Sequence, residues 1–157
     1  MGGRFGIAGY PVPMASNGAG CGFAPRSNAR GMPMQVPPPV RAYVDAYNAR
    51  DVEGMLRALA EDVHFQNITA GSVNVETNDI GAFADLARTG ATAFQERRQE
   101  IVACIVVGDR AMIEVDYSAV VGADLPNGWK AGQALRFRGK SYFELRDGRI
   151  VRIVDEI

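Results

Sequence analysis

Residues 43–67, YVDAYNARDVEGMLRALAEDVHFQN, contain the pattern of two helices followed by the beginning of a strand. The apolar residues of the first helix have the spacing of one helical face: Val40, Tyr43, Val44 and Tyr47. Asp51 stands where a capping carboxylate is expected, and a second helix is predicted over DVEGMLRALAED. The run VHFQNI is short and rich in apolar residues, and it predicts a strand. The stretch therefore predicts a packed helix pair that leads into a sheet.

The sequence after residue 70 predicts one more helix and then several long strands. The helix covers DIGAFADLARTGATAFQ, with Thr77 or Asn78 as its cap. Strands are predicted in RRQEIVACIVVGD, RAMIEVDYSAVVG, QALRFRGKSYFELRDG and IVRIVDEI, with hairpin turns at Gly108 and at Asp147-Gly148. Helices ahead of long antiparallel strands indicate an α+β fold, with the helices on one face of a curved sheet.

The composition limits the classes of partner. The chain has 157 residues, 47% of them hydrophobic, and a formal net charge of -1, which argues against nucleic acid or an anionic membrane as the main partner. No apolar run approaches the ~20 residues that span a bilayer. Seven of the eight prolines lie in residues 1–39, which we expect to form a disordered Gly/Pro-rich leader before a single domain at 40–157. We expect a cytoplasmic protein, and the single histidine predicts no metal site.

Three stretches carry a resemblance to a known superfamily. YVDAYNARDVEGMLRALAEDVHFQN resembles the opening of nuclear transport factor 2-like proteins, GKSYFELRDGRIVRIVDEI resembles their last hairpin, and IVACIVVGDRAMIEVDY fits between them. The resemblance implies a cone-shaped, highly curved antiparallel sheet, closed by about three N-terminal helices around an apolar pocket. The superfamily includes ketosteroid isomerases, SnoaL-like polyketide cyclases, limonene epoxide hydrolases and non-catalytic binding proteins, so the fold alone does not select a function.

The ketosteroid isomerase pattern is matched at too few positions. Its first-helix tyrosine, an oxyanion donor, falls on Tyr43, but its general-base aspartate falls on Asn67, and an amide cannot accept the proton. Its second oxyanion acid falls near Ser141. The resemblance therefore argues against a true ketosteroid isomerase.

The limonene epoxide hydrolase pattern is matched in part. Three of its polar positions are kept here, at Asn67, Asp116 and Asp155. Three others depart from it: Phe65 replaces a tyrosine, Glu114 replaces an arginine, and Ile153 replaces a tryptophan. The resemblance implies that Asp155, Asp116 and Asn67 form the catalytic set and that Tyr43, Tyr47, Phe65, Glu114 and Ile153 contact the substrate.

Each candidate also has an interpretation without function. Asp155 lies on the apolar face of IVRIVDEI, where a carboxylate is paired, protonated or exposed, but a frayed chain end would also place it in water. Asp116 either lines the pocket or belongs to a solvated face opposite the basic strand Arg136–Lys140. Asn67 orients water or substrate, or satisfies a strand end. Tyr43 and Tyr47 either donate hydrogen bonds into the pocket or only pack in the core.

The residues and the resemblance together predict a SnoaL-like enzyme that needs no cofactor. It would perform acid/base chemistry of the isomerase, cyclase, dehydratase or epoxide hydrolase type on a small apolar molecule. Asp155 and Asp116 would act in opposite protonation states, because two nearby carboxylates resist ionising together. The alternative is a non-catalytic ligand-binding or protein-interaction module of the same fold. A homodimer packed through the outer face of the sheet is expected from the resemblance.

Overall fold

The computed structural model describes residues 34–157, which form three helices and a six-stranded sheet. In chain order the elements are α1 (Pro38–Asn48), α2 (Val52–Arg57), β1 (Leu59–Thr69), β2 (Ser72–Thr77), α3 (Ile80–Ala93), β3 (Phe94–Val107), β4 (Arg110–Val121), β5 (Ala134–Arg146) and β6 (Arg149–Glu156). The α+β class predicted from the sequence is confirmed.

The first two helices follow the predicted pattern. The apolar stripe of α1 is buried in the core through Val40, Tyr43, Val44 and Tyr47. Prolines at the first turn of α1 are tolerated because the backbone N–H groups there have no partner within the helix. Asp51 caps α2, and its carboxylate accepts a hydrogen bond from the Gly54 backbone N–H at 2.8 Å. Local sequence therefore determines this helix pair.

Two helix ends differ from the prediction. The second helix was expected to continue to Asp62, but the chain leaves it after Arg57 and β1 begins at Leu59, where the buried side chain and the pairing with β6 favour a strand. The third helix is capped by Asp79 rather than by Thr77 or Asn78, because the Asp79 carboxylate accepts from the Ala82 N–H at 2.8 Å. Phe94, expected on this helix, is the first residue of β3.

The strand order across the sheet is β2-β1-β6-β5-β4-β3. Neighbouring strands are antiparallel except β1 and β6, which run parallel and bring Asn67 beside Asp155 in register. The expectation of an entirely antiparallel sheet is corrected at this one pair, because β6 is inserted between β1 and β5. Strands distant in sequence therefore meet at the middle of the sheet.

The helices cover one face of the sheet, and the core lies between them. Along β4 the odd-numbered side chains Ile113, Val115, Tyr117, Ala119 and Val121 are buried, whereas the even-numbered ones face outward. The β5–β6 hairpin has positive φ at both turn residues, Asp147 at 52° and Gly148 at 75°, as expected for the turn predicted there.

Most of the expected leader lies outside the described residues, which begin at Met34. Met34 and Val36 are partly buried and pack against the core, and α1 begins at Pro38. The ordered domain thus extends a few residues before the expected boundary at residue 40. Within residues 34–157, no helix is long and apolar enough to cross a membrane.

Asn48, the last residue of α1, holds the edge strand β3. Its side-chain N–H donates to the Gln99 carbonyl oxygen at 2.9 Å, and its carbonyl oxygen accepts from the Gln99 N–H at 2.7 Å. Within residues 34–157, β3 pairs with a strand on one side only, β4. The side-chain amide of Asn48 therefore forms hydrogen bonds with backbone groups on the unpaired side of β3. The contact connects the helix layer to the sheet edge.

We predict that Asn48→Ala lowers the free energy of unfolding by about 2 kcal/mol, because it removes two hydrogen bonds to partly buried backbone groups. Urea unfolding followed by circular dichroism measures the change. Asn74→Ala, at an exposed position of β2, is the matched control and is expected to change stability little. Equal losses in the two variants would contradict the bridging role of Asn48.

Candidate functional site

Three polar residues form a row across the inner face of the sheet. Asn67 on β1, Asp155 on β6 and Ser141 on β5 are neighbours in register. Because paired residues of adjacent strands point to the same face, all three side chains face the core. Asn67 is 3% exposed, and Ser141 is also buried. The pairing of β6 with both neighbours therefore creates a polar strip in an otherwise apolar core.

Asp155 is the titratable group of this row. The Ser141 hydroxyl donates to its Oδ1 at 2.6 Å. Burial raises the pKa of the Asp155 carboxyl from its ordinary value of 3.8 to about 6, and the hydrogen bond from Ser141 opposes that rise. The carboxyl is thus mostly ionised at pH 7 but takes up a proton readily, as a general base or acid requires.

The raised pKa also affects folding. The unfolded chain ionises this carboxyl near its ordinary pKa of 3.8, whereas the folded chain does so near 6. Below both values the group is neutral in either state, so its burial costs least there. As the pH rises from about 4 to about 6, the folded state loses stability relative to the unfolded one, by at most about 3 kcal/mol.

Asp155 borders a cavity between the sheet and the helices. The cavity has a volume of about 50 Å³, and its wall is formed by Tyr43, Tyr47, Met55, Phe65, Phe83, Leu86, Ala87, Gly90, Arg97, Gln99 and Asp155. Its wall is mainly aromatic and aliphatic, and the rings of Phe65 and Phe83 meet edge to face at 5.4 Å between centroids. This volume corresponds to a few water molecules, whereas drug-sized ligands occupy about 300–1,000 Å³.

Arg97 and Gln99 are wall residues that the sequence did not predict. Both lie on β3 and face inward, opposite Ala119 and Tyr117 of β4. Arg97 is 6% exposed, and its guanidinium carbon lies 3.9 Å from the ring centroid of Tyr47. The resemblance implied an arginine on β4, at the position of Glu114. The arginine of the cavity wall is instead Arg97, on β3.

Asp116 does not meet Asp155. It lies on the outer face of β4, its side chain is 49% exposed, and the Arg138 guanidinium binds its Oδ1 at 2.8 Å. Glu114 shares that outer face, opposite Lys140. The prediction that these two acids line the pocket is corrected, because the apolar odd-numbered residues of β4 occupy the core and turn the even-numbered ones outward. The expected pair of carboxyl groups does not form.

The other candidates divide between the cavity and its surroundings. Tyr43, Tyr47 and Phe65 line the cavity with Asp155, as the sequence predicted. Ile153 is fully buried in the core, in register with Phe65 of β1. Asn67 lies beside Asp155 in register, and its side-chain oxygen accepts from the Thr69 hydroxyl at 3.5 Å. Half of the eight predicted site residues thus line one cavity: Tyr43, Tyr47, Phe65 and Asp155.

Metal ligands are scarce in this site. In the part of the chain that the structure describes, no group of three or more His, Cys, Asp or Glu side chains is arranged to hold a metal ion. The polar groups of the cavity wall are instead a carboxyl, a guanidinium, an amide and two phenols. These groups can accept, donate and stabilise charge during proton transfer.

We predict that the Asp155 carboxyl titrates near pH 6 and that Ser141→Ala raises its pKa further, because the hydroxyl stabilises the ionised form. Carboxyl ¹³C chemical shifts measured across the pH range report both values. Ser118→Ala, on the outer face of β4, is the control that should leave the titration unchanged. Titration of Asp155 near 4 in the unaltered protein would contradict the effect of burial.

Comparison with known proteins gives a family match and many fold matches. A family model described as a SnoaL-like domain matches residues 40–153. A candidate polyketide cyclase from Silicibacter sp. TM1040 is 25% identical, with a TM-score of 0.60 over 74% of this chain and 84% of that chain. No curated protein matches significantly by sequence.

Two further solved structures share the fold at lower identity. An LEH-like epoxide hydrolase from M. tuberculosis is 20% identical, with a TM-score of 0.60 over 75% of this chain and 78% of its own. A protein of ketosteroid isomerase-like fold from Catenulispora acidiphila, solved with trimethylamine, is 16% identical, with a TM-score of 0.63 over 77% of this chain and 85% of its own. These two structures confirm the predicted fold, and the SnoaL-like family model over residues 40–153 confirms the predicted family.

Proposed function

Because this chain belongs to the SnoaL-like domain family, we propose that it is an enzyme that moves a proton on a small, mostly apolar molecule bound in the cavity. The observation that carries the proposal is a single carboxyl, Asp155, at the wall of an apolar cavity, with a pKa of about 6. Isomerisation, cyclisation, dehydration and epoxide hydration all use such a group. The matched solved structures described as a polyketide cyclase and an epoxide hydrolase support the same range.

Asp155 would act as the base and then as the acid. Ionised near pH 7, it would take a proton from the substrate or from an attacking water, and the neutral acid would return it at another atom. The Ser141 hydroxyl would hold the carboxyl in place, and the mainly apolar wall would surround the substrate. The Tyr43 hydroxyl would donate a hydrogen bond to a substrate oxygen, and Tyr47, whose own hydroxyl donates to that of Tyr117, would form the cavity wall beside it. Asn67 would orient water beside the acid.

A binding function without catalysis is the second candidate. Two observations favour it: the cavity is small, about 50 Å³, and the second acid expected from the resemblance faces solvent as Asp116. A ligand-binding module needs shape and a few polar groups but no proton acceptor. The two candidates differ in what the loss of the Asp155 charge does.

We predict that Asp155→Asn lowers turnover by about 10²–10⁴-fold, the usual contribution of a positioned general base. The assay is deuterium incorporation from solvent into a panel of enolisable ketones and 1,3-dicarbonyl compounds, with epoxide hydration measured alongside. Asp116→Asn removes the same charge from the outer face and is the matched control, expected to keep full activity.

Undiminished turnover in the Asp155→Asn variant would remove this residue from the mechanism. If the unaltered protein binds members of the panel, as detected by native mass spectrometry, but turns none over, the binding function is favoured instead. Mass spectrometry of the protein purified without added ligand would also report what it carries from the cell.

We further propose that two copies associate through the outer face of the sheet, as the resemblance implies, in a cytoplasmic protein. An apolar row crosses this face in register on four neighbouring strands: Ile105, Met112, Tyr142 and Val154. Ile105 is 59% exposed and Met112 is 43% exposed, so the row presents apolar area to solvent in the single chain. Pairing of two such rows would remove that area from water.

We predict that Met112→Lys shifts the protein from dimer to monomer, because the interface would have to bury an unpaired charge. Sedimentation equilibrium measures the mass. Val106→Lys adds the same charge at an exposed apolar position on the opposite face of β3 and is expected to leave the dimer intact. A monomer in the unaltered protein would contradict the proposed association.

A further inference from the structure

The apolar row on the outer face of the sheet has charged residues on both of its sides. The row consists of Ile105, Met112, Tyr142 and Val154, each in register with the next. The first flank lies two residues from the row on β6, β5 and β4, and its residues are Arg152, Glu144 and Arg110. The second flank lies on the other side of the row on the same strands, and its residues are Glu156, Lys140 and Glu114. Each of these strands therefore carries opposite charges on the two sides of its apolar residue.

Strand β3 continues the two flanks without charge. Val107 stands on the first flank and Ala103 on the second. Val107 is 71% exposed, so it adds to the apolar area that the row presents to solvent. Strand β1 does not carry the pattern, because the imidazole of His64, on the first flank, lies 2.6 Å from the carboxylate of Glu76 on β2. The patterned area thus extends from β3 to β6.

Within one chain the flanking charges are not joined to one another. The Tyr142 hydroxyl donates to the Glu144 carboxylate at 2.7 Å and holds it beside the row. Arg110 lies 3.9 Å from Asp109, an exposed pair of the kind that contributes little. Among the ion pairs within residues 34–157, none joins two of the six flanking residues. The six charges can therefore form close ion pairs with a partner that carries the matching pattern.

A second copy of the chain carries the matching pattern when it is turned by half a rotation about a line along the row. This rotation brings the two outer faces together, sets each strand against the same strand of the second copy and reverses its direction. A residue of one flank then faces the other flank of its own strand, so the facing pairs are Arg152 with Glu156, Glu144 with Lys140, and Arg110 with Glu114. Every flanking charge meets an opposite charge, and Val107 meets Ala103.

Two-fold axes parallel to the strands match the charges less well. An axis along β5 sets Glu144 against itself and Arg152 against Arg110, and like charges that face each other oppose association. An axis between β4 and β5 pairs Glu114 with Lys140 and Arg110 with Glu144. That axis, however, sets both flanking charges of β6 against the apolar residues of β3. Of these axes, the one along the row pairs all six charges.

We propose that two copies pair about a two-fold axis along this row, so that the sheet recognises a second copy of itself by its charge pattern as well as by its apolar area. The idea rests on the association through the outer face proposed above. Sheets packed face to face lie about 10 Å apart and cross at about 30°. The flanking residues stand about 7 Å along the strand from the axis, so this crossing displaces facing residues by about 4 Å, which arginine, lysine and glutamate side chains span.

Charge reversals on β4 test the arrangement in the full chain. Glu114→Arg and Arg110→Glu each bring like charges together twice in a homodimer, and each should weaken that homodimer at least about tenfold. In a mixture of the two variants, the heterodimer regains both attractions, so it should exceed the statistical mixture. Native mass spectrometry resolves the two homodimers and the heterodimer, because the three differ in mass.

The chain that carries both substitutions should dimerise nearly as tightly as the unaltered protein, because the two charges have only exchanged places. Positions 110 and 114 of one chain are about 13 Å apart along the strand, so a coupling between them reports contact between copies. Asp85→Arg reverses an exposed charge on α3, in the helix layer, and is the matched control that should leave the dimer unchanged. If a β4 variant does not fold, Lys140→Glu and Glu144→Lys repeat the test on β5.

Failure of this inference differs from failure of the proposed association. A mixture without an excess of heterodimer, or a doubly substituted chain that does not recover, would overturn the axis along the row while the dimer of the unaltered protein stands. The axis between β4 and β5 predicts that result, because the reversed charges then meet Lys140 and Glu144. A monomeric unaltered protein would overturn both the axis and the association. The turnover assay of Asp155→Asn is independent of these outcomes.

Discussion

Strand β6 is held between β1 and β5, and the site depends on both pairings. The parallel contact places Asp155 beside Asn67, and the antiparallel contact places it beside Ser141. Because side chains alternate along a strand, a slip of one residue in either pairing would turn the carboxyl to the outer face. The apolar neighbours Ile150 and Ile153, both fully buried, hold the register. Packing of this strand therefore fixes the position of the acid.

The same packing makes the site costly for the fold. The core contains a carboxyl with a raised pKa and a nearly buried guanidinium, where apolar side chains would serve stability better. The Tyr47 ring beside Arg97 and the Ser141 hydroxyl beside Asp155 offset part of this cost. Groups of this kind at one cavity are common where a protein carries out chemistry, since stability alone does not select them.

The sequence predicted the helices and the general order of strands because those depend on local patterns. Val40, Tyr43, Val44 and Tyr47 form one stripe by their spacing, and Asp155 stands out as an acid on an apolar face. Alternation also separated the two faces of β4, and the apolar odd-numbered residues indicate that their face is the inner one. The pocket position of Asp116 came instead from the resemblance, and the structure places this residue on the alternative, solvated face.

Arg97 was missed for a related reason. A bulge between Ile101 and Ala103 shifts the register of β3 against β4, so alternation counted back from the hairpin at Gly108 assigns Arg97 to the outer face. The charged run RRQE also resembles a solvated segment. The parallel pairing of β1 with β6 was likewise hidden, since it joins strands that are distant in sequence.

The position of β6 has a consequence for how the protein folds. Strands β3 to β6 follow one another in the chain and can pair as a local meander, with hairpin turns at both ends and a longer connection over residues 122–133. Strand β6 then keeps an open edge until β1 pairs with it. The Arg149 side chain reaches the Leu59 carbonyl across 90 residues of sequence, so closing this contact requires ordering a long loop. Folding is therefore expected to be slow at this step, with an unpaired strand edge exposed to other chains in the meantime. Self-association through that edge would compete with formation of the cavity itself.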